Sequence, residues 1–412
     1  IGLLVMIYAG RSLTLEVPRR KVFVSPAMLM LLAGLVGMTV TADAFNLYVF
    51  LEIASLAAYA LLSVGDRPAP LAALRYLIIG SVAGSFYLLG VGFLYFATGT
   101  LNMADLAARL PELYHTRAVI AGAVLIIAGL GLKMALFPLH LWLPDVYTFG
   151  ASSVTGLIAP LMTKVAAYAL IRLVIGVFSP AFFTETLPFA PVIAWMAAGG
   201  IVFGSAMAVA QTDVRRMLAY SSVSQIAFIA LGLGLANKLA LIGGLLHILN
   251  HAVMKACLFL AVGGVRARTG LVDVRRWRGL GWRAPWTMAA FTVAALAMIG
   301  VPPTAGFFSK WYLLLGSVAA GAWVFVVVIV ASSVLTAIYF FKVIELVYDD
   351  PPGKDKGEQA PGPEPEVLAA GDPPASMLLP ILALAVLVLL AGVFNAWIVT
   401  HLLEPAVRPL AS

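Results

Sequence analysis

The sequence predicts an all-α polytopic membrane protein, and three observations carry that class. The 412 residues are 62% hydrophobic and only 11% charged, where an ordinary soluble domain carries about 25% charged residues. Mean hydropathy is +1.01. Apolar windows of about 20 residues recur from end to end, each long enough to cross a hydrocarbon core of about 30 Å. The net charge of +7 is therefore a topology signal, to be read loop by loop.

About twelve spans follow in order: 1–10, 22–41, 43–64, 71–97, 118–141, 150–178, 190–210, 217–236, 239–265, 284–316, 319–347 and 377–400. The opening IGLLVMIYAGRS has no initiator Met and no signal-peptide n-region or cleavage site. It reads as the remnant of a span, followed by a basic loop to residue 21, with earlier spans absent from the sequence. The loops after alternate spans carry Arg11, Arg19, Arg20, Lys21, Arg67, Arg215, Arg216, Arg266, Arg268, Arg275, Arg276, Arg278 and Arg283. The opposite loops offer little beyond Arg109, Arg117 and Lys238. By the positive-inside rule the basic set is cytoplasmic, in a bacterial inner membrane, and the C-terminus lies outside. Residues 349–375, rich in Pro, Gly and charge, read as a flexible cytoplasmic linker. The last span, within 376–412, is then either a lateral strut or a peripheral helix on a loose tether.

Two spans interrupt themselves. GLKMALFPLHLWLPD sets Pro138 and Pro144 after Lys133; GVPPTAGFFSKW sets Pro302, Pro303 and Gly306 before Lys310. Proline removes a helix hydrogen bond and clashes with the preceding turn. Within a bilayer the freed backbone is tolerated only when buried in protein or facing water. Paired interrupted helices, each with a lysine at its break, point to two related halves and to an ion site.

The ionisable residues deep in spans are Glu52, Lys133, Lys164, His247, His251, Lys255 and Lys310. A charge at the bilayer centre costs about 2.5–3.5 kcal/mol on insertion scales, so such groups usually mark ion or proton pathways. His247, His251 and Lys255 fall at i, i+4 and i+8 and share one helix face. Lysines outnumber carboxylates, which suits protons better than an oxygen-ligated cation. The bland readings stand beside this one. Glu52 is also suited to neutralising Lys133 or Arg75 structurally, and the His247–Lys255 column to a satisfied polar seam. His140 and Asp145 fit capping groups or a cavity mouth, and Arg172 an interface anchor. A zinc site is rejected, because no carboxylate or thiol completes a shell and Lys255 repels the cation. The single Cys257 excludes disulfides and iron–sulfur clusters. No quinone, flavin or dinucleotide motif is present, so any electron transfer belongs to partner subunits. No cofactor and no catalytic centre is expected in this chain.

Five motifs in order, DAFNLYVFLEIASLAAYALLS, GLKMALFPLHLWLPD, QTDVRRMLAYSSVSQIAFI, HILNHAVMKACLFL and GVPPTAGFFSKW, resemble the proton-conducting antiporter-type membrane subunits. That family is shared by Mrp cation/proton antiporters, complex I and membrane-bound hydrogenases. The first motif and LMTKVAAYALIRL look most like the D-type component of Mrp antiporters, with a complex I or hydrogenase component as the alternative. The resemblance implies a fourteen-helix fold with two inverted five-helix repeats, here at 22–178 and 190–348. It implies other membrane subunits as partners, protons and Na⁺ or K⁺ as the ions, and no nucleic acid. It also implies roles: Glu52 and Lys133 as a gating charge pair, Lys164 and the His247–Lys255 column as a central polar axis, and Lys310 as the terminal transfer group. The family often has glutamate at the last position, which leaves the subtype open. Two other classes compete: a solute transporter or membrane enzyme using the broken helices to bind an anion, and a scaffold using the polar groups as helix glue.

Overall fold

The computed structural model describes residues 1–349, 365–368 and 371–407. Among these, every regular element is helical, and only isolated bridges pair extended backbone. The long helices are α1 (Gly2–Glu16), α2 (Lys21–Val40), α3 (Ala44–Leu62), α4 (Ala69–Thr98), α5 (Arg117–Lys133), the short α6 (Leu143–Phe149), α7 (Ser152–Gly176), α8 (Phe189–Val209), α9 (Val214–Gly234), α10 (Lys238–Thr269), α11 (Pro285–Ile299), α12 (Ala305–Ala319), α13 (Trp323–Tyr348) and α14 (Ala375–Val393). Nine of the described helices are long and apolar enough to cross a membrane. Adding α1 and the two interrupted segments, α5–α6 and α11–α12, accounts for about twelve crossings.

Burial separates the helices by role. In α9 and α10, 94% and 78% of the hydrophobic windows are buried; α13 and α4 bury 33% and 39%. Helices buried on nearly every side form the bundle core, whereas α4 and α13 turn most of their surface away from it. The polar residues concentrate in this core.

Both breaks keep their freed backbone satisfied. At the first, Ala135 takes a left-handed φ of 61°, and the Trp142 indole donates to the Leu132 carbonyl at 3.1 Å. At the second, Gly300 turns the chain at φ 95°. Asn250 of α10 donates to the Ala305 carbonyl at 2.7 Å. A single span expected at 284–316 is thus two 15-residue helices, because the pair Pro302–Pro303 supplies no N–H to continue the ladder.

The same clasp occurs twice. Asp43 caps α3, and its segment pairs with the segment after α4: Ala44 N–H donates to the Leu101 carbonyl and Met103 N–H to that of Ala42, both at 2.9 Å. Asp213 caps α9, and Val214 N–H and Val274 N–H bond the Val272 and Thr212 carbonyls, again at 2.9 Å. Asp43 is therefore a helix cap at the end of a span. Helix alternation puts the two clasps at opposite ends of the bundle. The Gly65–Gly150 bridge lies at the Asp213 end.

The 349–375 linker falls largely outside the described residues. The segment just before α14 is docked: Asp372 accepts from Thr287 N–H at 2.8 Å, Trp286 N–H at 3.3 Å and the Thr287 hydroxyl at 2.6 Å. It thereby caps the exposed amides of α11. Helix α14 packs on α1, α10, α11 and α12, so within this chain it is not a strut reaching away; most of the tether lies outside the described residues. Gly392 makes the closest approach: a Cβ there would meet the Pro303 carbonyl and lie 2.8 Å from Thr304 C and 2.9 Å from Ala305 N. Since backbone cannot yield as a side chain can, Gly392→Ala is expected to destabilise the fold by about 1–3 kcal/mol. A thermal melt in detergent checks this; an unchanged midpoint would mean that α14 does not bear on the second break.

Candidate functional site

The first polar centre is built on α3, α4 and α5. Lys133 is the last residue of α5 and is 2% exposed. Its ammonium donates to Ser55 Oγ at 2.6 Å and Tyr59 OH at 3.1 Å, and stands 4.0 Å from Glu52 Oε1. Glu52, Ser55 and Tyr59 fall at i, i+3 and i+7, one face of α3. Two glycines one turn apart on α4 make the slot: a Cβ at Gly84 would collide with Glu52 Oε1, and one at Gly80 with the Tyr59 hydroxyl. Beside Lys133 lies a cavity of about 10 Å³ between α2, α3 and α7, lined by Ser55, Met162 and Ala166 among others. That is about the space of one water molecule. Arg75, the other cation open to Glu52 on sequence grounds, instead meets Asp145 at 3.4 Å.

The second centre lies on α7. Lys164 is 2% exposed and donates to the Ala159 carbonyl at 2.6 Å and Thr163 Oγ1 at 3.3 Å. Pro160 interrupts this helix, removing the amide that would bond Gly156. An apolar groove of about 480 Å³, lined by Pro160, Tyr168, Leu249 and Val253 among others, reaches Lys164 from the outer surface of the bundle.

The third is the column on α10, where all three members are fully buried. His247 bonds Ser309 Oγ through Nδ1 at 2.8 Å and Gln225 Oε1 through Nε2 at 3.0 Å. Its ring stacks on His251 with centroids 5.7 Å apart and planes 18° from parallel. His251 makes no hydrogen bond through either ring nitrogen among the described residues. Lys255 donates to the Leu218 carbonyl and to Ser221 Oγ, both at 2.6 Å.

Lys310, on α12, reaches back across the second break. Its ammonium donates to the Met298 and Ile299 carbonyls at 2.9 and 3.0 Å, and lies 3.3 Å from Ser333 Oγ. These are the end carbonyls of α11, which carry the negative pole of the helix. Lys133 sits at the end of α5 itself, so each interrupted span holds a lysine at the C-terminal end of its first half. His251 is within electrostatic range of Lys164, Lys255, His247 and Lys310, and Lys255 of Lys164. The structure thus brings five of the seven predicted residues within electrostatic range of one another, with His247 and His251 in direct ring contact, and pairs the other two, Glu52 and Lys133, with each other.

The hydroxyl and amide partners do not stand out in the sequence. Ser55, Tyr59, Ser221, Gln225, Ser309 and Ser333 hold the charged groups, and the run YSSVSQ inside an apolar span is the one signal that points to any of them. A hydroxyl cluster, Ser205 with Ser224 at 2.9 Å and with Ser332 at 2.8 Å, joins α8, α9 and α13. His140 lies near Phe137 and Phe203, with ring centroids 5.4 and 5.1 Å away. Arg172 donates to the Thr39 carbonyl at 3.2 Å. Cys257 is buried with Sγ 3.5 Å from the Ala290 carbonyl, a packing position.

An ionic network closes the end of the bundle at which Asp213 sits. Arg215 takes Asp66 at 2.8 Å and Asp213 at 3.3 Å; Arg266 takes Asp66 and, at 3.6 Å, Glu16; Arg216 takes Asp145 at 3.3 Å. Arg215 thus has Asp213 as a local partner and adds a link to Asp66, 149 residues away in the chain. In the loop beyond, the Arg275 guanidinium holds the Asp273 carboxyl below the usual carboxylate range. Its charge is thereby retained until pH falls below that lowered value.

A membrane-embedded helical bundle with buried lysines at two interrupted helices defines the antiporter-like class of integral membrane subunits. Comparison with known proteins specifies the family. Residues 41–336 match the family described as NADH:quinone oxidoreductase/Mrp antiporter, transmembrane. The chain is 52% identical to the N subunit of NADH-quinone oxidoreductase from Desulforudis audaxviator, over 98% of this chain and 81% of that protein. It is 33% identical to the D-type component of the Na(+)/H(+) antiporter from Alkalihalophilus pseudofirmus, over 95% and 76%. Among solved structures, a chain of the Mrp complex from Dietzia sp. DQ12-45-1b superposes with a TM-score of 0.84 at 26% identity, covering 100% of this chain and 80% of that one. A chain of the membrane-bound sulfane sulfur reductase, an archaeal respiratory membrane complex, gives 0.81 at 32%, covering 94% and 75%. The chain belongs to the NADH:quinone oxidoreductase/Mrp antiporter transmembrane family, and it is an antiporter-like subunit that works with other membrane subunits.

Proposed function

We propose that this subunit carries protons along Glu52, Lys133, Lys164, His251, His247, Lys255 and Lys310. The observation that carries the reading is the burial of Lys133, Lys164, His247, His251, Lys255 and Lys310 in the core of a chain otherwise so apolar. A carboxylate near a buried lysine favours the protonated amine, and its withdrawal favours release of the proton. Lys133 meets one face of α3, with the Ser55 and Tyr59 hydroxyls at 2.6 and 3.1 Å and the Glu52 carboxylate at 4.0 Å, so a small side-chain swing changes how closely it pairs with that carboxylate. Neither ring nitrogen of His251 has a hydrogen-bond partner among the described residues, and ordered water is the means by which it exchanges protons with groups a helical turn away.

The two clasps at opposite ends support the reading of residues 22–178 and 190–348 as inverted five-helix repeats. The clustering of basic loops at the end where Asp213 sits supports its assignment to the cytoplasm of a bacterial inner membrane. The 52% identity to a quinone oxidoreductase component, against 33% to a Na(+)/H(+) antiporter component, favours a complex I-type host, in which redox chemistry in partner subunits drives the protons. An Mrp-type antiporter is the second reading.

The test uses inside-out vesicles containing the native complex, with ΔpH followed by a quenched amine dye. Electron donor plus quinone is expected to acidify the lumen, and Lys164→Ala to reduce that acidification at least fivefold while blue-native gels show intact assembly. Unchanged acidification in the variant would remove Lys164 from the path. Acidification that needs a Na⁺ gradient and no electron donor would assign the Mrp-type host.

A further inference from the structure

We infer that the end of the bundle where Asp213 sits carries a binding site for the phosphate of an anionic phospholipid. The site is a basin of about 550 Å³ between the α1–α2 and α3–α4 connections, lined by Arg19, Arg20, Arg67 and Asp66 among others. The three arginines are exposed. They make no ion pair or side-chain hydrogen bond among the described residues, whereas Arg75, Arg215, Arg216 and Arg266 at this same end each take a carboxylate. Asp66 does not neutralise them, because its two oxygens are engaged by Arg215 and Arg266. Three guanidinium groups with free donors around one basin make a phosphate site, since guanidinium binds phosphate oxygens through paired N–H donors.

Position selects the lipid over a soluble phosphate. Arg20 immediately precedes α2, and Arg67 lies two residues before α4, so the basin sits at headgroup depth. Directly inward, Val22 and Phe23 are 77% and 76% exposed, and Leu71 and Leu74 are 53% and 51% exposed. A phosphate held by the arginines has its acyl chains against these side chains. The inference rests on the basic end facing an anionic leaflet, where each Lys or Arg contributes about 1 kcal/mol, about fivefold in affinity.

The full chain in neutral detergent is titrated with dioleoyl-phosphatidylglycerol, dioleoyl-phosphatidylcholine or inorganic phosphate, and retained ligand is counted by native mass spectrometry. Phosphatidylglycerol is expected to bind, and phosphatidylcholine far more weakly. Combining Arg19→Gln, Arg20→Gln and Arg67→Gln is expected to weaken phosphatidylglycerol roughly 100-fold; the three Lys replacements should retain much of the affinity. Equal binding by wild type and the Gln variant would overturn the site. Inorganic phosphate competing at the same concentration as the lipid would overturn the lipid assignment. Lack of lipid binding, with the arginines shielded from phenylglyoxal only in the assembled complex, would assign the basin to an acidic partner subunit. None of these readouts depends on transport, so failure here is separable from failure of the proton path.

Discussion

Lys133→Ala is expected to abolish ion-driven or redox-driven ΔpH in vesicles carrying the whole complex, by about tenfold or more. The ammonium is the group shared between the Glu52 carboxylate, 4.0 Å away, and the Ser55 and Tyr59 hydroxyls. Without it, the proton-bearing position and the charge partner of Glu52 are lost together. Alanine also leaves space beside an existing cavity, and large-to-small replacement in a packed interior costs about 2–5 kcal/mol. Part of any loss would therefore be structural. Lys133→Met separates the two effects by keeping chain length and removing the charge. It is expected to assemble, as judged by blue-native gel, and still fail to pump. A Lys133→Met complex that pumps at the wild-type rate would show the residue to be helix glue.

Lys255→Met is expected to show the opposite sign in stability and the same loss in transport. Lys255 is fully buried, and its ammonium bonds the Leu218 carbonyl and Ser221. That carbonyl also accepts from the hydroxyls of Ser221 at 2.9 Å and Ser222 at 3.0 Å, so removal of the lysine does not orphan it. Replacing a buried charge by an apolar group of similar volume is often neutral or stabilising by about 1–4 kcal/mol. The melting midpoint of the variant should be unchanged or higher, while ΔpH formation falls at least tenfold. A higher midpoint with normal pumping would place Lys255 outside the path; a sharp loss of assembly would favour the scaffold role. Stability given up at Lys255 in the native chain is what a functional buried charge requires.

Much of this protein is legible from its residues. The span pattern follows from hydrocarbon thickness, so about twelve crossings can be counted from hydropathy. Both breaks are visible as proline beside lysine, because no helix hydrogen bond forms at Pro138 or Pro303. All seven titratable groups stand out, since a charge among apolar residues costs too much to be incidental. Helical periodicity alone puts His247, His251 and Lys255 on one face.

The tertiary structure decides which of these groups meet. Arg75 and Lys133 are both open to Glu52 in sequence; packing of α4 through Gly80 and Gly84 gives Glu52 to Lys133, and Arg75 goes to Asp145. Ser55, Tyr59, Gln225 and Ser309 are ordinary residues in sequence and acquire their role only from the side chain opposite. Lys310 joins the end carbonyls of α11 because the chain doubles past Pro302–Pro303, a geometry no local propensity encodes. The docking of α14 depends on Asp372 capping a helix that begins at Pro285 and on Gly392 allowing backbone contact. The sequence by itself determined which groups are too costly to lie in lipid, because that cost belongs to each residue. Their pairing belongs to the packing of helices distant in the chain, and only the folded structure could decide it.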